Sequence, residues 1–439
     1  MPTLLQRLGL HTPQLRAWAM YDWGNSAFFT VVVTAVYPIW FQDVAAAGLD
    51  DTVATVRFAQ WTAVALIVVA LISPLMGALA DAGALRKRLL ACSLAVGVPA
   101  TALLALPAEG AWRSSLALFA VANVGVLLSL VFYDSLLPHI ARRDEIDRVS
   151  TAGYALGYLG GGLLLAVCLV AILKPALFGL PGTAAATRLS FVAVAVWWLA
   201  FSLPLFLRVP EPPRRLEPDE TARQPPLRIA FSRLGETFRE LRGEKQAFLL
   251  LLAVLIYNDG ITTIYRMATI YGREIGLPQN HLIAAVLLVQ FVGIPFSFLF
   301  GQIAGVFGTK RTILAALGIY LAISVFGYAL RTVAHFYVLA LAVASVQGGV
   351  QALSRSLFAS MIPRHKSSEM FGFYAVAERF AAVLGPAVFG FTAAAFGSSR
   401  YAVLSVMAFF LVGGALLTRV DVEEGRRAAR AREAELQPA

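Results

Sequence analysis

The fold is decided by a stretch that occurs twice, as Gly77-Ala-Leu-Ala-Asp81-Ala-Gly-Ala-Leu-Arg86-Lys87-Arg88 and again as Gly301-Gln-Ile-Ala-Gly305-Val-Phe-Gly-Thr-Lys310-Arg311. Gly77 pairs with Gly301, Arg86 with Lys310 and Lys87 with Arg311 at one constant offset. Each copy closes a long apolar run with a glycine and then a basic cluster. The repetition indicates that the chain consists of two related halves.

Two further landmarks recur in the same order around these stretches. Tyr21-Asp22-Trp-Gly24 aligns with Tyr257-Asn258-Asp-Gly260, and Ser135-Leu-Leu-Pro138 aligns with Ser360-Met-Ile-Pro363. Three landmarks in one order predict a six-plus-six duplication. Such duplication is typical of secondary transporters, whose binding site lies between the halves near the middle of the bilayer.

Apolar runs fill the rest of the chain. Of the 439 residues, 59% are hydrophobic and 14% are charged, against about 45–50% and about 25% in ordinary soluble domains. The runs are about 20 residues long, the length that crosses a hydrocarbon core as a helix. We therefore predict an all-α polytopic membrane protein with twelve transmembrane helices in two pseudo-symmetric six-helix bundles. The predicted spans lie near residues 17–41, 59–80, 89–106, 112–137, 151–173, 188–208, 247–270, 282–305, 312–330, 335–362, 370–396 and 400–419.

The basic residues predict the orientation of the spans. Connections that follow odd-numbered spans hold few of them, chiefly Arg57, Lys174 and Arg273, whereas connections after even-numbered spans are rich in them. The positive-inside rule then places both termini in the cytoplasm. The predicted segments are a cytoplasmic N-terminal segment (1–16), a first bundle (17–208), a cytoplasmic linker with an amphipathic helix (209–246), a second bundle (247–419) and a cytoplasmic tail (420–439).

The sequence disfavours several classes of function. The net charge of +10 resides in short clusters between apolar runs, without a nucleic-acid recognition motif. Cys92 and Cys168 lie far apart without ligand spacing, so we expect neither a disulfide framework nor a metal site. All five histidines lie in loops or at span edges, and no phosphate-binding glycine motif is present. We therefore expect no enzymatic activity and no cofactor.

The duplicated stretch resembles the signature loop of the major facilitator superfamily, in which the glycine lets helices approach and the aspartate steadies a closed cytoplasmic gate. Asp134, close to Pro138 at the end of the fourth span, is also predicted to be a gate residue. Gly305 stands where a second aspartate would be, so the gate is better supported in the first half. The resemblance implies gating roles for Gly77, Asp81, Arg86, Lys87, Arg88, Gly301, Lys310 and Arg311.

Longer strings are similar to a narrower branch of that superfamily, the vacuolar amino-acid effluxer-like, autophagy-related branch. They are Trp18-Ala-Met-Tyr-Asp-Trp-Gly-Asn-Ser-Ala-Phe28, Tyr257-Asn-Asp-Gly260, Gln347-Gly-Gly-Val-Gln-Ala-Leu-Ser-Arg-Ser-Leu-Phe358 and Leu384-Gly-Pro386. Fungal members of the branch release amino acids from the vacuole. The resemblance implies a small polar solute as substrate, with amino acids as the leading class.

Polar residues inside the predicted spans are the candidate binding residues, because such groups are costly in lipid and face partner helices or a wet cavity. On the first span they recur at helical spacing and share one face. The alternative is a network of hydrogen bonds that packs helices together. The candidates are Asp22, Asn25, Ser26 and Phe29 on the first span, Asn258, Asp259, Thr262 and Tyr265 on the seventh, and Gln347 and Gln351 on the tenth.

Charged residues in the spans form a second set. Asp259 lies near mid-depth and is the leading candidate for a proton-coupling carboxylate, the alternative being a structural ion pair with Arg266. Arg355 and Glu378 lie at similar depth on the tenth and eleventh spans and are placed to pair. Arg355 would bind a substrate carboxylate or hold a gate or scaffold pair, and the same alternatives apply to Arg379.

The sequence therefore predicts a secondary active transporter that works by alternating access of two bundles around a central site. The alternatives are a multidrug or lipophile exporter of the same fold and a non-transporting membrane receptor. The exporter is disfavoured because the fifth span lacks the Gly-Pro motif usual in drug antiporters of the superfamily. The expected partners are a small-molecule substrate, the lipid bilayer and protons as coupling ion. We expect a monomer in the bacterial inner membrane that binds no nucleic acid.

Overall fold

A computed structural model describes residues 3–215, 229–230, 244–274, 276–396 and 399–435. The predicted membrane helices are confirmed, and most extend several residues beyond the apolar runs. The long helices are α1 (Pro13–Ala45), α2 (Asp51–Gly83), α3 (Arg86–Leu103), α4 (Trp112–Ile140), α5 (Ile146–Leu173), α6 (Thr183–Arg208), α7 (Lys245–Glu274), α8 (Gln279–Phe307), α9 (Thr309–Tyr328), α10 (Val333–Ser360), α11 (Ser367–Phe396), α12 (Ser399–Ser405 continued by Met407–Thr418) and α13 (Val422–Ala434).

Ten helices of the described residues are long and apolar enough to cross a membrane. The other two of the twelve, α3 and α11, each carry three charged side chains. Those of α3 stand in its first turn, and α3 packs against α4 and α6. Helix α11 packs against α2 and α7. Both helices are therefore held within the bundles by their neighbours.

Helix α1 departs from regular α-helical geometry. Thr12 caps its first turn by accepting a hydrogen bond from the backbone N–H of Leu15. Beyond Ala27 the helix widens into π-helical turns at Phe28–Val36 and again at Phe41–Ala45, on either side of Pro38. Proline removes a helical hydrogen bond, and π-helical turns inside α-helices occur frequently at functional sites.

Matching hydrogen bonds support the predicted duplication. The Tyr21 hydroxyl of α1 donates to Ser129 of α4 at 2.6 Å. In the second half the hydroxyl groups of Tyr257 of α7 and Ser354 of α10 lie 2.5 Å apart. The first and fourth helices of each half are thus joined by the same pair of side chains.

The predicted alignment of the basic clusters is wrong by one residue. Lys87 Nζ donates to the carbonyl oxygens of Phe206 and Val209 at 2.9 and 2.7 Å. Lys310, not Arg311, makes the equivalent bonds, to Thr418 and Val420 at 2.8 and 2.7 Å. The offset changes because Gly308 alone separates α8 from α9, whereas two residues separate α2 from α3.

The two halves meet along two helix pairs, since α2 packs against α11 and α5 packs against α8. Glycines allow the close approach. A Cβ on Gly77 would overlap the backbone of Ser368, and one on Gly301 would overlap Thr151. The predicted linker helix lies outside the described residues, apart from residues 229–230, which are helical and buried.

Both described ends of the chain lie at the same face of the bundle. His11 lies 3.6 Å from Glu145, and Glu433 of α13 forms an ion pair with Arg143 at 2.8 Å. Glu145 and Arg143 belong to the connection between α4 and α5. We call the face that carries this connection the terminal face. The Arg142 guanidinium, which binds the Asp144 carboxylate there, lowers the pKa of Asp144.

Candidate functional site

The guanidinium of Arg355 joins the two halves. Its Nη1 binds Asp134 Oδ1 of α4 at 2.9 Å, and its Nη2 lies 3.3 Å from Asp22 Oδ2 of α1. Its Nε donates to Ser150 Oγ of α5 at 2.9 Å, and Nη2 also donates to the Ser150 carbonyl oxygen at 3.0 Å. We call Arg355, Asp22, Asp134 and Ser150 the Arg355 cluster. Three helices of the first half thus converge on one side chain of the second.

Aromatic rings enclose this guanidinium. Its carbon lies 4.8 Å from the ring centre of Trp18, 4.7 Å from Tyr154 and 5.6 Å from Tyr133. Trp18 stacks on Tyr133 at 4.5 Å, and the Tyr133 hydroxyl donates to Asp22 Oδ2 at 2.8 Å. Cation–π attraction is strongest where the cation has been removed from water. The rings therefore stabilise the guanidinium and fix the carboxylate beside it.

The local sequence explains how α1 reaches this position. Trp18 and Asp22 are four residues apart, so they lie on one face of α1. That face packs on glycines of α5. A Cβ on Gly153 would overlap the Asp22 carboxylate, and one on Gly157 would overlap Ser26. These glycines of α5 thus let α1 and α5 approach closely.

The expected pair of Arg355 with Glu378 is not formed. All three nitrogens of Arg355 bind residues of the first half, and Glu378 instead lies 3.3 Å from its neighbour Arg379. The carboxylates that do bind the guanidinium come from α1 and α4 of the first half. Depth along the spans did not show that these two helices supply the partners of Arg355. Asp134, predicted as a gate residue, is one of them.

A second contact between the halves surrounds Asp81 at the end of α2. Its carboxylate accepts hydrogen bonds from the backbone N–H groups of Ser368 and Glu369 at 3.2 and 2.9 Å. These groups belong to the first turn of α11, where a negative charge is favourable. Arg86 pairs with Asp81 at 2.5 Å, and both side chains are buried. Arg88 and Arg311 are exposed.

In the second half, where Gly305 replaces the aspartate, the contact is built differently. Asp147 of the first half accepts hydrogen bonds from Thr309 at 2.6 Å and from Ser356. This carboxylate stands in the first turn of α5 and contacts the second half at α9 and α10. Sequence comparison of the two copies did not find it, because the carboxylate comes from a different helix.

Asp259 lies between α7 and α11. It is fully buried, and its Oδ1 accepts a hydrogen bond from the backbone N–H of Gly385 at 2.7 Å. Its Oδ2 has no hydrogen-bond partner among the described residues. Arg266 is exposed two turns along the same helix, within electrostatic range. Asp259 thus fixes α11 at the residue before Pro386.

Tyr265 contacts the first half at a point nearer to the face opposite the terminal face. Its hydroxyl lies 3.2 Å from Thr34 Oγ1, in the π-helical part of α1. The Arg355 cluster and this contact therefore lie on either side of the middle of the molecule.

Gln347 is buried, and its Oε1 has no partner among the described residues. Asn25 is buried and its amide lies 3.5 Å from Asp22. The remaining predicted binding residues, which are partly buried, are Ser26, Phe29, Asn258, Thr262 and Gln351.

The fold matches solved transporters of the major facilitator superfamily. The proton:xylose symporter XylE superposes with a TM-score of 0.66 at 14% identity, covering 95% of this chain and 98% of its own. The human organic anion transporter MFSD10 superposes with a TM-score of 0.69 at 14% identity, covering 92% and 99%. Twelve helices in two halves are thus the fold of this superfamily.

The chain belongs to the family described as "Vacuole effluxer Atg22 like", whose sequence profile matches residues 52–430. The uncharacterized MFS-type transporter YxiO of Bacillus subtilis is 33% identical over 415 residues, which are 94% of this chain and 96% of YxiO. Autophagy-related protein 22-1 of Aspergillus niger is 26% identical over 301 residues. This chain spans about half the length of that fungal relative.

Proposed function

We propose that this protein is a secondary active transporter that moves a small polar solute by alternating access of its two bundles, with amino acids as the first class to test. The observation that carries the proposal is the Arg355 cluster. Its guanidinium belongs to the second half and its two carboxylates to the first. The cluster must therefore break when the bundles separate at the terminal face. A contact that forms and breaks with that motion is what alternating access requires.

We further propose that the terminal face is cytoplasmic and that the protein resides in a bacterial inner membrane. The connections at this face are rich in arginine and lysine, which favours a cytoplasmic location. The contacts made by Arg355 and Asp81 then form a closed cytoplasmic gate. The described structure corresponds to a state that is shut toward the cytoplasm.

The proposed solute site lies between the Arg355 cluster and the Thr34–Tyr265 contact. Gln347 supports this placement because its buried amide oxygen is left without a partner, and an unpaired buried acceptor is costly until a ligand satisfies it. Glu378 and Arg379 supply a negative and a positive group side by side. Such a pair suits a solute that carries both an ammonium and a carboxylate.

Uptake into proteoliposomes tests the proposal. The purified protein should accumulate at least one labelled amino acid from a broad panel, and accumulation should respond to an imposed pH gradient. Arg355→Gln should abolish it, whereas Arg331→Gln, a change at an exposed arginine, should not. The proposal fails if the folded protein moves no polar solute. Transport of lipophilic dyes alone would favour an exporter of the same fold.

A further inference from the structure

The rings and carboxylates that surround the Arg355 guanidinium all belong to the first half, whereas Arg355 itself comes from α10 of the second. We call these surrounding groups the cation box. Its members are the rings of Trp18, Tyr133 and Tyr154 and the carboxylates of Asp22 and Asp134. Proteins bind ligands that carry a positively charged nitrogen with the same combination of ring faces and charged hydrogen-bond acceptors. Arg355 therefore occupies the box in the way that a cationic ligand would.

Contacts within the first half hold the box together. Trp18 Nε1 donates to the carbonyl oxygen of Tyr133 at 3.0 Å, and the two rings stack at 4.5 Å. The Tyr133 hydroxyl donates to Asp22 Oδ2 at 2.8 Å, and the Tyr21 ring stacks on Tyr133 at 4.7 Å. None of these contacts involves Arg355, so they remain when the two halves separate. A site that is already formed loses little affinity to the ordering of its own side chains.

The charge of the box favours a cation once Arg355 has left. Among the described residues, the ion pairs of Asp22 and of Asp134 are both made with Arg355. The two aspartate side chains are only 10% and 16% exposed. When the second half moves away, two carboxylates and three ring faces lose their cation together. Because a buried charge without a partner is costly, the empty box favours the entry of another cation.

The position of the box makes it accessible from the terminal face. Tyr154 stands eight residues into α5, which begins at Ile146, next to the connection that defines this face. Eight residues of helix span about 12 Å. The box therefore lies within reach of a solute that enters between the bundles when they part at the terminal face.

We propose that the cation box binds the positively charged group of the transported solute, a guanidinium or an alkylammonium, while the bundles are apart at the terminal face. The site depends on the proposed function, because alternating access supplies this separated state. On closure the Arg355 guanidinium takes the place of the solute's cation, so the second half displaces the ligand of the first. Amino acids and amines carry the required positive group, whereas sugars and simple carboxylic acids do not.

Arg355→Ala tests the proposal because it empties the box without changing its walls. Methylguanidinium should then bind saturably to the purified protein and raise its midpoint of thermal unfolding, whereas the neutral analogue methylurea should do neither. Binding to Arg355→Ala should be at least about tenfold tighter than binding to the unsubstituted protein, in which only the separated fraction of molecules offers an empty box.

Arg379→Ala is the matched control. It removes another guanidinium of the second half that pairs with a carboxylate, that of Glu378, but Arg379 lies outside the box. This variant should bind methylguanidinium no more tightly than the unsubstituted protein does. Equal gains in Arg379→Ala and Arg355→Ala would show that any vacated carboxylate suffices, and the box would be rejected.

Tyr154→Leu, added to Arg355→Ala, tests whether the ligand lies in the box. It removes one ring face and should weaken the binding of methylguanidinium by about 2-fold to about 30-fold, the range that a cation–π contact supplies. Unchanged binding in this double variant would place the ligand elsewhere and overturn the proposal.

Asp81→Ala covers the case in which Arg355→Ala does not fold. It breaks a separate contact between the halves and leaves both the box and Arg355 intact, so it should also bind methylguanidinium more tightly than the unsubstituted protein. No saturable binding in any folded variant would overturn the proposal. Binding is measured without transport, so a protein that binds methylguanidinium in the box but moves no solute would refute the proposed function and not the cation box.

Discussion

Asp22 of α1 and Arg355 of α10 stand 333 residues apart in the chain, and their charged atoms lie 3.3 Å apart. The pair spans the boundary between the two halves at a depth where water is scarce. Removing one partner of a buried pair leaves the other uncompensated and costs about 3–5 kcal/mol. Loss of either partner is therefore expected to destabilise the closed arrangement of the two halves.

Gly153→Ala should weaken this contact without touching a charge. An added Cβ would overlap the Asp22 carboxylate and press on Trp18 and Arg355, so these side chains would have to shift within the cluster. Overpacking of this kind costs about 1–3 kcal/mol. We expect a lower midpoint of thermal unfolding. We also expect a larger open fraction from a pair of spin labels at Arg88→Cys and Arg311→Cys, exposed positions of opposite halves, in a Cys92→Ser, Cys168→Ser background.

Gly318→Ala is the control for that substitution. Gly318 also lies within a helix, α9, but a Cβ there meets no atom within 4 Å. Alanine favours helix over glycine by up to about 1 kcal/mol, so this variant should be unchanged or slightly more stable. Equal destabilisation by both substitutions would show that the effect of Gly153→Ala is not specific to the cluster.

Asp81→Ala should also open the terminal face, through the loss of a different set of contacts. It removes two hydrogen bonds to the first turn of α11 and leaves the buried guanidinium of Arg86 without its carboxylate. Asp144→Ala removes an exposed ion pair at the same face and should have little effect, since such pairs contribute about 0–1 kcal/mol. Thermal unfolding and the label pair measure the two consequences.

Asp81→Ala combined with Arg86→Leu separates stability from gating. The double variant should recover much of the lost stability, because no unpaired charge stays buried. It should still open at the terminal face, because no carboxylate accepts the hydrogen bonds from the first turn of α11. A double variant that closes normally would contradict the gate role of Asp81.

The number and order of the membrane helices could be predicted, because the bilayer requires an apolar run of about 20 residues in each span. Their ends could not, because a helix continues past the hydrocarbon layer. Helix α2 begins at Asp51 although its apolar run begins near residue 59. The equivalence of Lys87 and Lys310 could not be predicted either. It arises because the connection between α8 and α9 is one residue shorter than that between α2 and α3, and a constant sequence offset does not reveal this difference.

The candidate site was predictable in its members and not in their pairing. Helical spacing marked Asp22 as part of an inward face, and depth marked Arg355 as a buried charge. Depth alone does not say which faces of twelve helices meet. Of the alternatives for Arg355, the pair with Glu378 was therefore wrong, and the partners of a gate or scaffold pair could not be named. Ser150 was missed altogether, because a serine near a helix start has many ordinary roles.

Glu433→Gln should have a small effect that salt abolishes. Glu433 of α13 bridges Arg143 of the first half and the backbone N–H of Arg364 in the second. The Glu433 and Arg143 side chains are 20% and 36% exposed, so we expect at most about 1 kcal/mol. The open fraction should rise slightly at low ionic strength and not at all near 1 M salt, where the screening length falls to about 3 Å. An effect as large as that of Arg355→Gln would show that α13 is the dominant lock.

Asp259→Asn tests the proposed proton-coupling role of Asp259. An asparagine oxygen can still accept the hydrogen bond from Gly385, so the packing of α7 against α11 should survive while the ionisable group is lost. We expect accumulation driven by a pH gradient to be abolished and exchange of labelled for unlabelled solute to continue, because exchange requires no net movement of protons.

Thr263→Val is the control variant. The Thr263 hydroxyl donates to the carbonyl oxygen of Asp259 but carries no proton that titrates. This variant should keep pH-driven accumulation, so its loss together with that of Asp259→Asn would point to packing at this position. Unchanged accumulation in Asp259→Asn would reject Asp259 as the coupling residue.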